Sequence, residues 1–336
     1  KLIMGSLAVT SRSFSKHPIL RKEVLMRYPD AKFNDDGLSL NGQSLIDFLQ
    51  GYEMAITALE KIDDQVLTNL PNLKIIGKYG VGLDMIDFHA MKKHGVSLGW
   101  KGGVNKRSVS ELVISFAIYL LHRIAFLNSE VKNGEWYQLK GRELSNCTFG
   151  IIGCGHIGKE IIRLLKPFKC NILVHEPIDL SEYYQVNNIT PVSIEELIQK
   201  SDVVSLHLPL NDSTKNIMSK DRLSMLKKDS ILINLARGGL VDEVALEKLL
   251  IEKKIGGAAL DVFETEPPTD SKFALMDNVL VTPHIGSSTE ETIIEMGMAA
   301  INGLENSKNP LSSLVNFREY LKLWSLDQFV TILSDE

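Results

Sequence analysis

Short runs of apolar and β-branched residues recur along this chain, separated by stretches whose apolar positions follow the spacing of a helix. In the first third the runs fall at residues 2–9, 54–59, 73–78 and 96–99, with helical spacing at 42–50 and 84–93. A second series follows at residues 147–152, 171–175, 203–207, 230–235, 257–260 and 279–282, again with helices filling the gaps. Alternation of this kind predicts an α/β protein built on parallel sheets. Between the two series a long helix is expected over residues 108–131, just after a glycine turn at Gly102 and Gly103. The chain is therefore expected to cross from one domain to another near residue 102. Ser193 and Glu196 have the spacing of a capping box, and Pro167 ends a helix that starts near Ile157. Residues 317–336 have apolar periodicity but no readable motif.

Composition narrows the function classes. A length of 336 residues allows about two domains, and 44% apolar with 24% charged residues is ordinary for a globular protein. The net charge of −5 argues against a polyphosphate-binding protein, so nucleic acid is not an expected partner. Three cysteines, Cys147, Cys154 and Cys170, lack metal-ligand spacing and are too few to staple the chain. No metal site is expected, and a reducing compartment, the cytoplasm, fits best. The uncharged apolar stretch at 112–121 is half a bilayer span, and the first residues lack a secretory pattern, so no membrane partner is expected.

The first chemical signal is Gly153-Cys-Gly155-His-Ile-Gly158, which follows an expected strand directly and opens an expected helix. A first glycine permits the tight turn, a second lets backbone approach a pyrophosphate, and a third lets helix and strand pack closely. The next strand ends at Glu176, 18 residues past Gly158, where a carboxylate accepts hydrogen bonds from a ribose diol and repels a 2′-phosphate. These residues predict a dinucleotide site for NAD rather than NADP, formed by Gly153, Gly155, His156, Ile157, Gly158 and Glu176. Cys154 and His156 hold variable positions of the motif.

The second signal is spread over three further strand ends. Arg237 emerges where the strand at 232–236 breaks into glycines, and an arginine there can clamp a carboxylate through two parallel hydrogen bonds. Asp261, Glu264 and Glu266 follow the next strand, and His284 follows Pro283 past another. Histidine gives and takes a proton near neutrality, and a carboxylate beside it fixes its tautomer. Together the three segments point to acid–base chemistry on a carboxylate-bearing substrate.

With these residues in view the chain resembles a D-isomer-specific 2-hydroxyacid dehydrogenase of the phosphoglycerate dehydrogenase type. The likeness is carried by Gly80-Val-Gly-Leu-Asp84, Asn105-Lys-Arg-Ser-Val-Ser-Glu111, the glycine turn, His207-Leu-Pro209, Asn234-Leu-Ala-Arg-Gly238, Asp261-Val-Phe-Glu-Thr-Glu-Pro267 and Thr282-Pro-His-Ile-Gly286. It extends over residues 40–310. The resemblance implies two Rossmann-like, doubly wound α/β domains with the active site in the cleft between them. Residues 1–102, with a return segment from about 287 to 336, would form the substrate domain, and 103–286 the NAD-binding domain. It also implies that Arg237 binds the carboxylate and carbonyl of a small anionic 2-oxo or 2-hydroxy acid, that His284 is the acid/base, and that Glu266 orients it. His207, Pro209, Thr214, Ala236, Asp261 and Gly286 would face the cofactor, with Asp261 on the nicotinamide carboxamide. Lys78, Tyr79, Gly80, Val81, Gly82 and Asn105 would face the substrate. A homodimer through the helix at 108–125 is implied as well.

Departures leave the particular acid open. Lys78 stands where many relatives carry arginine, Met85 where asparagine is usual, and Thr57-Ala58 where phosphoglycerate enzymes tend to carry arginine. The chain after residue 316 is too short for a regulatory serine-binding domain, so feedback control of that kind is not expected. A dinucleotide-sensing binding protein of the corepressor branch, with the same fold and the same Arg, Glu and His, is the alternative; turnover of any 2-oxo acid separates the two.

Overall fold

The structure is a computed structural model that describes residues 5–268 and 272–307. The expectations for residues 2–4 and for the tail at 317–336 lie outside the described residues. Two compact units are formed, one from residues 5–105 and 288–307, the other from 106–268 and 272–287.

The first unit is a parallel sheet of β1 (Leu7–Val9), β2 (Lys32–Phe33), β3 (Met54–Thr57), β4 (Ile75–Lys78) and β5 (Ser97–Gly99), in the order β2-β1-β3-β4-β5. That is the doubly wound order of an open α/β sheet. Register explains why its strands read as unbroken apolar runs. Ala8, Ala55, Ile76 and Leu98 fill a core on one face, whereas Leu7, Val9, Met54 and Ile56 fill another on the opposite face. The second face is covered by the returning helix Glu290–Glu305, which contributes Met296, Ala300, Ile301 and Leu304. Glycines bring it close: a Cβ on Gly99 would stand 2.2 Å from the carbonyl carbon of Gly303.

The sequence reading lacks the short helix Asp64–Thr68 and, before β2, the helices Arg12–Lys16 and Pro18–Arg27. The longest buries only Leu20 and Val24 while Ile19, Leu25 and Met26 remain exposed, so its apolar residues trace no single stripe. The expected helix at 84–93 shortens to Phe88–Lys93, because Asp87 caps it by accepting the N–H of Ala90.

In the second unit β6 (Thr148–Ile152), β7 (Asn171–His175), β8 (Thr190–Pro191), β9 (Val203–Leu206), β10 (Ile231–Asn234), β11 (Gly257–Leu260) and β12 (Val279–Val281) form a parallel sheet. Its order, β12-β11-β10-β9-β6-β7-β8, is that of a Rossmann sheet extended by one strand. The single long helix expected over 108–131 is two helices, Lys106–Leu121 and Ile124–Lys132, bent by 62°. Arg123 between them is left-handed, with φ 56°, which interrupts the helical hydrogen-bond ladder. Val109, Val113, Phe116, Ala117 and Leu121 of the first helix pack on Phe149, Ile151 and Ile161, and the second helix buries no residue. Among the described residues no single helix is long and apolar enough to cross a membrane, although this bent pair passes that test on length and composition together.

Candidate active site

Parallel register puts the ends of the second sheet in one row. Ile152 is level with Leu206 and His175, Leu206 with Asn234, Asn234 with Leu260, and Leu260 with Val281. The residues that leave this edge are Gly153, Glu176, His207, Arg237, Asp261 and His284. In open α/β sheets ligands bind outside that carboxyl edge.

Sterics explain two of the three motif glycines. Gly153 has φ 98°, and a Cβ on it would lie 2.3 Å from the carbonyl oxygen of His207; one on Gly158 would lie 2.3 Å from the carbonyl oxygen of Gly153. Around Gly155 the reverse holds, with no atom within 4 Å of where a Cβ would stand. The turn is thus open where it feeds the helix His156–Leu165, whose first N–H groups and dipole suit an anion. Ile157 packs on the core beneath it, and His156 is held below the usual imidazole range by burial and by Lys106 and Lys159. Glu176 is tied to the turn, its carboxylate accepting from the N–H of Cys154 at 2.8 Å and of Ile178 at 3.2 Å.

His207 shapes the floor. Its imidazole is buried, which pushes its pKa down to about 3, so it is neutral. Nε2 lies 2.7 Å from the Ser205 hydroxyl, while Nδ1 is buried with no hydrogen-bond partner among the described residues. Beyond it Thr214 donates to the carbonyl of Pro209 at 2.7 Å and accepts from the N–H of Asn211 at 2.8 Å, closing a loop beside the turn. An open glycine turn, a carboxylate at the second strand end and an unsatisfied neutral imidazole fit a dinucleotide.

Asn234, which the sequence reading quoted without a role, sets the arginine turn. Its side chain accepts from the N–H of Ala236 at 3.1 Å and donates to the carbonyl of Arg237 at 2.9 Å. An asparagine at a strand end before a break is the signal of such a turn. The Arg237 guanidinium donates to the carbonyl of Ala236 at 2.7 Å. A Cβ on the next residue, Gly238, would lie 1.9 Å from the carbonyl oxygen of Phe263, so this turn sits directly against the one that carries Glu266.

That second turn reaches the histidine. Glu266 accepts from the N–H of Phe263 at 3.1 Å through one oxygen, and its other oxygen lies 2.8 Å from Nδ1 of His284. His284 has φ 54°, a conformation that costs energy for a side-chain-bearing residue and persists only where its surroundings impose it. Its N–H is bonded to the carbonyl oxygens of Asp261 and Thr282 at 2.9 and 3.0 Å. The Asp261 carboxylate takes the Thr282 hydroxyl at 2.5 Å and the N–H groups of Ile285 and Gly286 at 2.7 and 2.8 Å, and Ser108 donates to the carbonyl of Gly286 at 2.7 Å. Asp261 thereby locks the histidine turn. The roles of Thr282 and Ser108 were not legible, since each bonds a segment distant in sequence. Among the described residues no group of three or more His, Cys, Asp or Glu side chains could hold a metal ion.

In the first unit the expected substrate residues lie on and after β4. The buried ammonium of Lys78 donates to the carbonyls of Ala58 at 2.7 Å and Tyr79 at 3.1 Å, bracing the turn that follows. Tyr79 is buried edge-on against Phe14, and Gly80, Val81 and Gly82 are half-buried, with the Val81 carbonyl accepting from the Trp100 indole at 3.2 Å. Asn105 is buried at the end of the unit.

Comparison with known proteins identifies the family. Residues 114–286, just over half of the chain, match the family model of the D-isomer specific 2-hydroxyacid dehydrogenase, NAD binding domain. A hydroxypyruvate reductase of Thermotoga maritima is 35% identical over 257 residues, covering 74% of this chain and 82% of that protein. A D-3-phosphoglycerate dehydrogenase of Methanocaldococcus jannaschii is 38% identical over 234 residues, 69% of this chain, but the match spans only 45% of its length. Among solved structures, one from Polaromonas assigned to the same dehydrogenase family superposes with a TM-score of 0.83 at 28% identity, over 90% of this chain and 96% of that one. The carboxyl-edge residues, the doubly wound sheets and these matches agree: the chain belongs to the D-isomer specific 2-hydroxyacid dehydrogenase family.

Proposed function

We propose that this chain is an NAD-dependent dehydrogenase that interconverts a small 2-oxo acid and its D-2-hydroxy acid. The observation that carries the reading is the contact of 2.8 Å between Nδ1 of His284 and Glu266, which sits at the same sheet edge as Arg237 and the open glycine turn. Nicotinamide supplies the hydride chemistry when bound. His284 supplies the proton: with Nδ1 committed to Glu266, Nε2 is the atom that gives a proton to the oxygen formed from the carbonyl and takes it back in the reverse direction. The carboxylate of Glu266 steadies the ring and fixes its tautomer. Arg237 offers the planar fork that a substrate carboxylate accepts. The second unit is the NAD-binding domain and the first the substrate domain, with Gly80, Val81, Gly82 and Asn105 assigned to the substrate by their match to the family pattern, and Lys78 and Tyr79 by their place directly before that loop.

Pyrophosphate falls to the turn from Gly153 to Gly158, and the ribose diol to Glu176, whose charge disfavours the added phosphate of NADP. His207, Pro209, Thr214, Ala236, Asp261 and Gly286 line the remainder of that edge. Free thiols at Cys147, Cys154 and Cys170, two of them buried, fit a reducing compartment, and we place the protein in the cytoplasm.

Oxidation of NADH, with NADPH in parallel, against glyoxylate, hydroxypyruvate, pyruvate, 2-oxoglutarate and 3-phosphohydroxypyruvate tests the reading. NADH-dependent reduction of at least one acid is expected, with His284→Ala lowering kcat by roughly 10²–10⁴-fold at unchanged NADH affinity. Silence towards every acid, or full activity in His284→Ala, overturns it.

A further inference from the structure

We propose that Glu243 is a positioning residue for the Arg237 and Glu266 turns, holding the acidic turn from behind so that Glu266 meets His284. The inference rests on the functional reading above and deepens it. Glu243 lies six residues past Arg237 and opens the helix Glu243–Ile251, whose Leu246 and Leu250 are buried in the core. Capping of that helix falls to the preceding Asp242, which accepts the N–H of Ala245 at 2.9 Å. Glu243 is thereby released from its own helix, and one of its carboxylate oxygens accepts the N–H of Glu264 at 2.7 Å.

The recipient needs holding. Residues 264–268 are exposed, whereas Phe263 just before them is buried against Phe273. A turn with so little burial is free to move unless hydrogen bonds fix it. The contact of Glu243 with Glu264 and the close approach of Gly238 to Phe263 clamp it at adjacent points, and both clamps come from the segment that begins with Arg237. One stretch of chain therefore sets the arginine and the acid that orients the histidine. Burial, with the neighbouring carboxylates of Glu264 and Glu266, pushes the Glu243 pKa up, and the Glu264 N–H works the other way. A half-buried carboxylate kept within the field of Glu266 is costly to place for stability alone.

The experiment compares the wild-type chain with Glu243→Ala and Glu243→Gln by steady-state reduction, NADH affinity and backbone hydrogen exchange over residues 262–266. Glutamine keeps an acceptor for the Glu264 N–H; alanine does not. The expected result is faster exchange in Glu243→Ala, kcat lower by roughly three- to tenfold with KM and NADH affinity little changed, as one hydrogen bond's net worth implies, and recovery of both in Glu243→Gln. Wild-type kcat and exchange in Glu243→Ala overturn the proposal, as does a Glu243→Gln variant as impaired as Glu243→Ala. If the wild-type chain reduces no 2-oxo acid, the functional reading falls and the catalytic role of Glu243 with it, and exchange at Glu264 still shows whether the clamp exists.

Discussion

His207 shows how one side chain beside the cofactor edge also sets acid stability. Its folded pKa, about 3, is far below the value near 6.5 of an exposed imidazole, so between those limits the unfolded chain binds the extra proton. Its stabilising contribution is present above pH 6.5 and is lost as pH falls towards 3, at about 1.4 kcal/mol per pH unit. His207→Gln, which cannot titrate, should show a shallower loss of urea stability between pH 6.5 and 4.5, smaller by about 2–3 kcal/mol over that span. Equal slopes for the two proteins would mean that His207 is hydrated in the folded state. At this scale the sequence exposes residues whose chemistry is unusual for a strand end, such as Arg237, Glu266 and His284. It conceals those that work by bonding distant backbone, because neither Ser108 nor Thr282 carries a local sign of Gly286 or Asp261.

Elements were legible where burial is two-sided or a motif fixes both ends. The run at 257–260 is the strand Gly257–Leu260, and the run at 171–175 is Asn171–His175. The helix expected over 108–131 is two helices: apolar periodicity persists past the left-handed Arg123, although only the first part faces the core. Glycine in the helix Glu290–Glu305 looks equally misplaced from sequence, costing about 1 kcal/mol of helix propensity against alanine. Contact reverses the sign: a Cβ on Gly303 would stand 2.7 Å from the Cα of Gly99. Gly303→Ala should therefore destabilise by about 1–3 kcal/mol, as overpacked sites do, read from the denaturant midpoint. A midpoint that rises instead would show the helix standing off the sheet.

For the whole molecule, the two-sheet architecture and the carboxyl-edge site follow from the strand order, while the oligomeric state rests on surface chemistry. Ile124, Val131, Trp136, Tyr137 and Leu139 are exposed, Trp136 by 85%, within one stretch whose Phe126 and Tyr137 rings lie 6.3 Å apart. Assignment of the helix at 108–125 to a homodimer, as the family resemblance implies, would also give this stretch a cover, since exposed apolar groups at this density mark an interface. Light scattering should give twice the chain mass, reduced to a monomer in Val131→Glu/Trp136→Glu; a monomeric wild-type protein would remove the assignment. The returning helix has a separate consequence, for biosynthesis. Its side chains complete a core whose other members belong to the first third of the chain. A ribosome adding 5–20 residues per second needs roughly 10–40 s to go from the first pass through that unit to the helix that covers it. Among the described residues the second unit is synthesised as one stretch and can fold during that interval, so of these two cores the one begun first is completed last.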